Sequence, residues 1–385
     1  MTQRLAVIVF LPILGMVSAR AWAGDNVWTS IGPAGTWVND LVVDPQNPST
    51  VYTGLSAGIF KTTDGGASWN QLTGLPAGSS PLAIDPQDPS TVYAAGHPYV
   101  WKSVDGGASW NAIWNFGSLT SNWLMTFVVD PRNPSTLYAA LQQADECGGE
   151  TLHKSVDGGE SWVGFTFESL GAAASCVSDL VIDPQNPATL YAAFQRTGVF
   201  KSVDGGASWT AANSGLIASD NQLSSSLAID PQDPSILYTV AAQRSVLPGE
   251  NSWSVFKSNN GGANWNLASS GLPKWSANSN CCYRPRLVVD PQSPNRVYLG
   301  AAVEGVHRVF MSADGGATWM DSGFAMPSQG GWFEGLAVGA QGPPGTVYAG
   351  TQGQGVFAIT FPPGRSELLL QIRYRLATRP SLGKP

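Results

Sequence analysis

Charged side chains are scarce in this sequence, and cationic ones are the scarcer. Lys and Arg together number 20 against 27 Asp and Glu, and these four residue types make up 12% of the 385 residues. Nucleic-acid binding needs a basic surface to meet the phosphates. A formal net charge of −7 does not provide one, so we expect no nucleic-acid partner.

Histidine and cysteine are also few, which argues against a metal centre. The chain has 3 His and 4 Cys, and the histidines do not stand at zinc-ligand spacing from the cysteines. We therefore expect neither a metal nor another cofactor.

Long hydrophobic runs are absent apart from one at the N-terminus. That run extends from Leu5 to Val17, follows Arg4, and precedes Ala21-Trp22-Ala23, an A-x-A pattern typical of a signal-peptide cleavage site. No later run approaches the roughly 18 apolar residues that a membrane span needs. The sequence thus predicts a signal peptide over residues 1–23, export to the periplasm or cell exterior, and no transmembrane anchor.

Glycine, proline and tryptophan are plentiful, and a repeated unit accounts for many of them. The unit reads Asp-Pro-x-x-Pro, then Tyr, then Phe-Lys-Ser, then Asp-Gly-Gly-x-Ser-Trp. Its copies begin at Asp44, Asp85, Asp130, Asp183, Asp230 and Asp290, with a degenerate copy around Gly339. Units of this size cannot bury an apolar face alone and must stack on one another, which indicates a propeller or solenoid.

Each unit predicts one four-stranded antiparallel blade. An apolar inner strand such as Leu41-Val42-Val43 leads into the Asp-Pro turn, a second strand carries the Tyr, and a third ends at Lys-Ser or Lys-Thr. The Asp-Gly-Gly turn then leads to a fourth strand that opens with Trp. The Asp-Pro and Asp-Gly-Gly turns share one face of the disc, the repeat face, while the remaining connections form the opposite, variable face.

The two ends of the repeat predict how the ring closes. The last unit, Gly335 to Phe361, has three strands and no Trp, whereas Asn26 to Pro33 reads as an isolated fourth strand that contains Trp28. Together they complete a seventh blade, which leaves no open sheet edge. We predict an all-β chain with a single seven-bladed β-propeller over residues 24–361 and a basic C-terminal tail over residues 362–385.

The S-x-D-x-G-x-[ST]-W pattern resembles the Asp-box, or BNR, repeat. Six copies carry it, at Asp64, Asp105, Asp157, Asp204, Asn260 and Asp314. The repeat occurs in sialidases, sortilin-type receptors, xyloglucan-degrading glucanases and the photosystem II assembly factor. The resemblance implies a β-propeller, and the single seven-bladed layout is most similar to the assembly-factor group and to uncharacterised bacterial BNR-repeat proteins.

Two of these families imply site features that the sequence lacks. Sialidases place an arginine triad and a Phe-Arg-Ile-Pro type segment at their site, on six blades. The string nearest to that segment here is Tyr283-Arg284-Pro285-Arg286, in a different part of the chain. Xyloglucan-degrading enzymes use a cleft between two propellers, with one Asp from each, and this chain has one propeller. The Asp and Trp of the repeated turn are expected to serve hairpin and blade packing.

The variable face is predicted to be aromatic. Candidate ligand-binding residues in or beside its connections are Trp37, Trp114, Trp123, Trp253, Trp275 and Trp332, with Tyr283, Arg284 and Arg286. Flat aromatic rings with polar neighbours suit stacking on a sugar or clamping a peptide. The alternative is that the rings only cover the long loops.

Carboxylates at the predicted channel mouth are the candidate catalytic groups. The residues that precede the apolar runs read Asp40, Pro81, Thr126, Asp179, Ser226, Arg286 and Gly335, with Glu334 one step earlier. Asp40, Asp179 and Glu334 are candidates for glycoside hydrolysis, which uses carboxylates about 5 to 9.5 Å apart. The alternative is a solvated ring, or carboxylates that accept hydrogen bonds from loop amides.

The four cysteines allow one cross-link between neighbouring connections. Cys147 and Cys176 lie in consecutive variable-face segments and are predicted to form a disulfide, which suits an exported protein. The pairing of Cys281 with Cys282 stays open, because adjacent cysteines are closer at Cα than most disulfides.

The leading hypothesis is an exported, non-catalytic binding propeller, expected to be a monomer, that holds a glycan or an extracytoplasmic protein on its aromatic face. A glycoside hydrolase that uses Asp40, Asp179 and Glu334 is one alternative. A scaffold for an exported complex is the other.

Overall fold

Every regular element that the computed structural model describes is a β-strand. The described residues are 27–33, 38–117, 122–143, 150–166, 177–194, 197–216, 222–243, 252–273, 275–276, 285–327, 335–339, 345–351 and 353–360. None of them belongs to a helix, so this part of the chain holds no helical segment that could cross a membrane.

The strands form seven antiparallel sheets, one for each blade, as the repeat predicts. Blades one to three are β2 (Val38–Val43), β3 (Val51–Leu55), β4 (Gly58–Thr62), β5 (Asn70–Gln71); β6 (Ser80–Ile84), β7 (Val92–Gly96), β8 (Tyr99–Ser103), β9 (Asn111–Asn115); and β10 (Asn122–Val129), β11 (Leu137–Gln143), β12 (Glu150–Ser155), β13 (Val163–Thr166). Blades four and five are β14 (Val177–Ile182), β15 (Leu190–Phe194), β16 (Gly198–Ser202), β17 (Thr210–Ala211); and β18 (Gln222–Ile229), β19 (Leu237–Gln243), β20 (Ser252–Ser258), β21 (Asn266–Leu267), with β22 (Trp275–Ser276) added at the outer side. Blades six and seven are β23 (Arg286–Val289), β24 (Val297–Val303), β25 (Val306–Ser312), β26 (Met320–Pro327); and β27 (Gly335–Val338), β28 (Thr346–Thr351), β29 (Gly355–Thr360), β1 (Thr29–Gly32).

The core lies between blades rather than inside any one of them. All five residues of β3 and of β15 are buried, which explains their unbroken apolar or small composition. The buried clusters combine residues from adjacent blades, and one cluster joins Ile31 to Val38 and Tyr348. No blade is therefore expected to be stable alone.

The Asp-Gly-Gly turn is held by side-chain bonds within its own hairpin. In blade two, the Asp105 carboxylate accepts from the Ser109 amide at 2.8 Å. The Ser103 hydroxyl donates to Asp105 at 2.7 Å and accepts from the Gly107 amide at 2.8 Å. Gly106 and Gly107 adopt φ of 69° and 94°, which favours glycine. In blade five, Asn260 replaces the Asp and accepts the same amide bond, from Asn264 at 2.9 Å.

The repeated Tyr and Lys join each blade to the next. Tyr52 and Lys61 of blade one donate to the Gly106 carbonyl of blade two, at 3.2 and 2.9 Å, and the ammonium lies 5.0 Å from the Tyr52 ring centroid. The same pairs recur in blades three, four and five: Tyr138 with Lys154, Tyr191 with Lys201, and Tyr238 with Lys257. The repeated Tyr and Lys therefore stabilise the ring.

The N-terminal strand completes the last blade, which confirms the predicted closure. β1 pairs with β29, and Trp28 occupies the place of the missing ring Trp. Its ring meets Phe324 edge-on at 4.8 Å, and its Nε1 donates to the Ser322 hydroxyl at 3.0 Å. The Ile31 carbonyl also accepts from Trp69 Nε1 of blade one at 2.7 Å, so β1 contacts blades on both sides of the closure.

Candidate functional site

The residues that precede the apolar runs form one ring at the variable-face end of the central channel. Six of them pair with the residue two places after the Tyr of the second strand: Asp40, Thr126, Asp179, Ser226, Arg286 and Gly335 face Gly54, Ala140, Ala193, Val240, Gly300 and Gly350. In blade two the register of the first two strands shifts after Pro81 rather than before it, so that Pro81 pairs with Ala94. The predicted mouth ring is therefore a feature of the fold.

Below this ring the channel is apolar. It forms a cavity of about 550 Å³ lined by inner-strand side chains and by prolines of the Asp-Pro turns. Leu41, Phe127, Leu180 and Leu336 come from four different blades. Charged groups thus meet the channel at its variable-face rim, above an apolar wall.

Asp179 is the most heavily bonded member of the ring. One carboxylate oxygen accepts from the Leu180 amide at 2.9 Å. The other accepts from the Leu227 amide at 2.8 Å and from the Ser226 hydroxyl at 3.3 Å, both in blade five. The Ser226 oxygen in turn accepts from the Leu287 amide of blade six at 3.1 Å. One side chain thereby starts a hydrogen-bond chain through three blades.

The electrostatics of Asp179 combine opposing influences. Burial raises the pKa of its carboxyl above the usual range, while the charge of Arg286 and the three hydrogen-bond donors act to lower that pKa. Because burial is the largest influence, the site favours the protonated carboxyl more than water does. A raised pKa is also a property of general acids.

Asp40 stands on the far side of the channel from Asp179. Its carboxylate accepts from the Leu41 amide at 2.7 Å. The inner strand of blade one lies between those of blades two and seven, so blades two and three separate Asp40 from Asp179. The two carboxylates that are described do not lie side by side, and Glu334 falls outside the described residues.

Arg286 is the one cationic residue among the seven ring positions. It is the first residue of β23 and is half-buried. The next ring position is Gly335, where a Cβ would lie 3.0 Å from the Leu41 Cβ. A glycine there lets the inner strand of blade one approach closely and leaves the guanidinium without a side-chain neighbour at the following ring position.

The described aromatic candidates contribute to packing between blades. Trp114 is half-buried and stacks on Trp162 of blade three, with centroids 4.5 Å apart and planes 19° apart. Phe116 and His153 also contact its ring. Trp114, one of the predicted aromatic candidates, therefore packs at the interface between two blades.

Trp253 is notable for its indole nitrogen, which has no hydrogen-bond acceptor within the blade. The side chain is half-buried against the cluster between blades five and six. Its Nε1 is buried and makes no hydrogen bond. Such a donor costs stability unless something outside the blade accepts from it.

Several predicted residues lie outside the described part of the chain: Trp37, Tyr283, Arg284, Trp332, Cys147 and Cys176. Trp123 and Trp275 lie in the strands β10 and β22. Their roles and the predicted disulfide stay predictions, and within the described residues no group of side chains could hold a metal ion.

The hydrogen-bond role of Ser226 was not predicted from the sequence. Its signal was available, since Asp179 and Ser226 occupy the same repeat position in consecutive blades where other copies hold Pro81 or Gly335. Two small polar residues at one inner-strand position can bond across a blade boundary. Arg286, by contrast, lies on the ring where the sequence placed it.

No family model and no curated protein matches the chain. Solved structures do match it. An ancestral GH74 enzyme is 20% identical with a TM-score of 0.63, over 88% of this chain and 46% of that one. The GH74 xyloglucanase from Xanthomonas campestris is 18% identical with a TM-score of 0.60, over 86% and 53%. YCF48 bound to D1 peptide is 15% identical with a TM-score of 0.54, over 85% and 94%.

The likeness is one of fold. The chain spans about half the length of the two GH74 enzymes, 46% and 53%, and nearly the whole of YCF48, 94%. Identities this low carry no catalytic or binding residue from one protein to another.

Proposed function

We propose that this chain is an exported, non-catalytic binding propeller that holds a segment of another protein at the variable-face mouth of its channel. The observation that carries the proposal is the bonding of Asp179. Its carboxylate accepts three hydrogen bonds, two of them from blade five, and so works as a structural link. Export rests on the signal peptide expected over residues 1–23.

The remaining groups at the mouth suit recognition. Arg286 presents a planar cation that binds carboxylates or backbone carbonyls, and Asp40 offers an acceptor two ring positions away, beyond Gly335 of blade seven. The apolar channel below them can receive an aliphatic or aromatic side chain. Ionic, polar and apolar contacts at one mouth match the mixed chemistry of a polypeptide.

The solved structures support a protein ligand in two ways. The propeller of YCF48, which has about the size of this chain, was solved with a D1 peptide bound. The GH74 enzymes are about twice as long, and xyloglucan-degrading relatives of the repeat act in a cleft between two propellers. The described residues form one propeller, and a binding role needs no more than one.

A glycoside hydrolase stays as the second candidate, because one observation favours it. Burial raises the pKa of the Asp179 carboxyl, as the acid of a hydrolase requires. A glycan that is bound without catalysis would stack on the aromatic side chains predicted for the variable face.

Arrays of peptides and of glycans, probed with the whole chain, test the proposal. We expect peptide binding that Arg286→Gln weakens at least about tenfold, since a charge-assisted bond at a partly buried site contributes roughly 1.5–3 kcal/mol. The matched control is Arg308→Gln on the same blade, where the arginine pairs with Asp321 on exposed strands; it should bind as wild type does.

Three outcomes would contradict the proposal. Equal peptide retention by wild type and Arg286→Gln would remove the mouth as the site. Retention of glycans alone would make the ligand a sugar. Release of reducing ends from xyloglucan that disappears in Asp40→Asn would favour the hydrolase.

A further inference from the structure

The hairpin between the second and third strands of blade six projects further from the variable face than the same hairpin of blades one and four. β24 and β25 have seven residues each, whereas the matching strands of those two blades have five. Two additional residues of strand add about 7 Å. The tip of this hairpin, Glu304 and Gly305, therefore lies above the level of the mouth ring.

Glu304 holds a backbone conformation that suits other residues better. Its φ is 51° and that of Gly305 is 76°. Positive φ at both turn residues is the pattern of a type I′ hairpin turn, which prefers Asn-Gly or Asp-Gly. Among the described residues, Glu304 is the only non-glycine residue with a positive φ. A Cβ in this conformation approaches the following carbonyl oxygen, and strain of this kind concentrates at functional sites.

The Glu304 carboxylate does not compensate for this strain within the hairpin. Its side chain is exposed, and within the part of the chain that the structure describes it accepts no hydrogen bond and pairs with no cation. The ion pair of this blade joins Arg308 to Asp321 instead. A glutamate at this tip therefore adds strain and offers a free negative charge above the mouth.

Arg286, the cation of the mouth ring, belongs to the same blade. It pairs with Gly300 of β24, and the chain continues along that strand from residue 300 to the tip at residue 304. Four residues of strand extend about 13 Å. Blade six thus offers a cation at the mouth and an anion about 13 Å further out along its hairpin.

We infer that the protein segment held at the mouth extends along the blade-six hairpin and contacts Glu304 through a lysine or an arginine. This inference rests on the proposed function, in which Arg286 binds a carboxylate or backbone carbonyl of the same segment. An extended segment advances about 3.3 Å per residue. The basic residue of the partner therefore lies about four positions from the residue that Arg286 binds.

Peptides bound by the whole chain test the contact when their lysines and arginines are replaced by glutamine one at a time. Affinity for wild type should fall about two- to fivefold at one basic position, the range of an exposed ion pair. Glu304→Gln keeps the side-chain length and removes the charge. This variant should bind the parent peptide more weakly by the same factor, and should not respond to the replacement at that position.

The matched control is Glu160→Gln, which removes the charge of an exposed glutamate on the repeat face. It should bind every peptide as wild type does. Exchange of the two charges provides the complementary measurement. Glu304→Lys, combined with a peptide whose basic residue is replaced by glutamate, should recover the affinity that either change loses alone.

Glu304→Asn tests the strain separately from the charge. Asn is preferred at this turn position, so the variant should have a higher urea midpoint than wild type. Because Asn is neutral, the variant should lose affinity by the same factor as Glu304→Gln. Stability and binding would then change in opposite directions at one residue, which a purely structural role does not produce.

Four outcomes would overturn the inference. Unchanged binding by Glu304→Gln, with weakened binding by Arg286→Gln, would remove this contact and leave the proposed function standing. Absence of peptide binding by wild type would remove both. An equal loss at every basic position of the peptide would mean general attraction to an acidic protein. A urea midpoint of Glu304→Asn at or below that of wild type would remove the strain on which the inference depends.

Discussion

Asp179 shows how one residue of a repeat can leave the repeat pattern and still serve the fold. Its carboxylate accepts from the Leu227 amide and the Ser226 hydroxyl of the next blade, and both residues are buried, at 3% and 1% exposure. No water can replace the acceptor without entering the blade interface. The residue therefore links blades four and five more directly than packing alone.

Replacement of Asp179 by Ala should destabilise the propeller by about 1–3 kcal/mol, because the amide and hydroxyl lose their acceptor. Asp179→Asn should cost less, since its carbonyl oxygen still accepts and no charge is buried. Urea unfolding at neutral pH measures both, with Glu160→Ala as an exposed control expected within about 0.5 kcal/mol of wild type. Equal stability of Asp179→Ala and wild type would show that the link is dispensable.

The Asp-Gly-Gly hairpin is the element in which sequence and structure agree most closely. Asp105 accepts from the Ser109 amide and hydroxyl, so a local motif fixes a local geometry. Such turns were predictable because every bond lies within seven residues of sequence. The contact of Gly339 with blade one was not predictable in this way. A Cβ at Gly339 would lie 2.6 Å from the Pro48 Cβ, and only ring closure brings these two residues together.

The same limit applies to the candidate site. Periodicity placed Arg286 and Asp179 on one ring, because each blade repeats one register. Periodicity could not show that Asp179 bonds to blade five, since that depends on the approach of two blades. Nor could it show that Trp114 stacks on Trp162, a contact between side chains of different units.

We expect the hairpins to contribute to the way in which stability changes with acid. Bonds from the Ser109 hydroxyl, then its amide and the Ser103 hydroxyl, lower the pKa of Asp105 to about 2. A folded-state pKa below the unfolded value of about 3.9 stabilises the fold above that pH, and the stabilisation is lost as the pH falls towards 2. Asp179, with its raised pKa, acts in the opposite sense.

Substitution of Asp105 by Asn should therefore flatten the loss of stability between about pH 4 and pH 2. The reciprocal change Asn260→Asp should steepen it, because the Ser258 hydroxyl and the Asn264 amide, which bond Asn260, would lower the pKa of the new carboxyl. Urea midpoints at several pH values across that window measure both effects. Slopes that do not differ between the two variants would mean that these turns do not govern acid unfolding.

At the scale of the whole molecule, closure decides whether seven blades behave as one unit. β1 pairs with β29, and the Trp28 ring packs on Phe324 of blade six. A chain that starts at Pro33 would leave β29 as an open edge. Open edges pair with other chains, so this variant should self-associate and should lose cooperative unfolding.

Trp28→Ala keeps the strand β1 and removes only the half-buried ring. This substitution should lower the free energy of unfolding by about 2 kcal/mol, less than the 3–5 kcal/mol expected for a fully buried Trp. Light scattering after size exclusion, with urea unfolding of both variants, separates the two effects. A monomeric, cooperatively unfolding chain from Pro33 onward would show that six complete blades and an open seventh suffice.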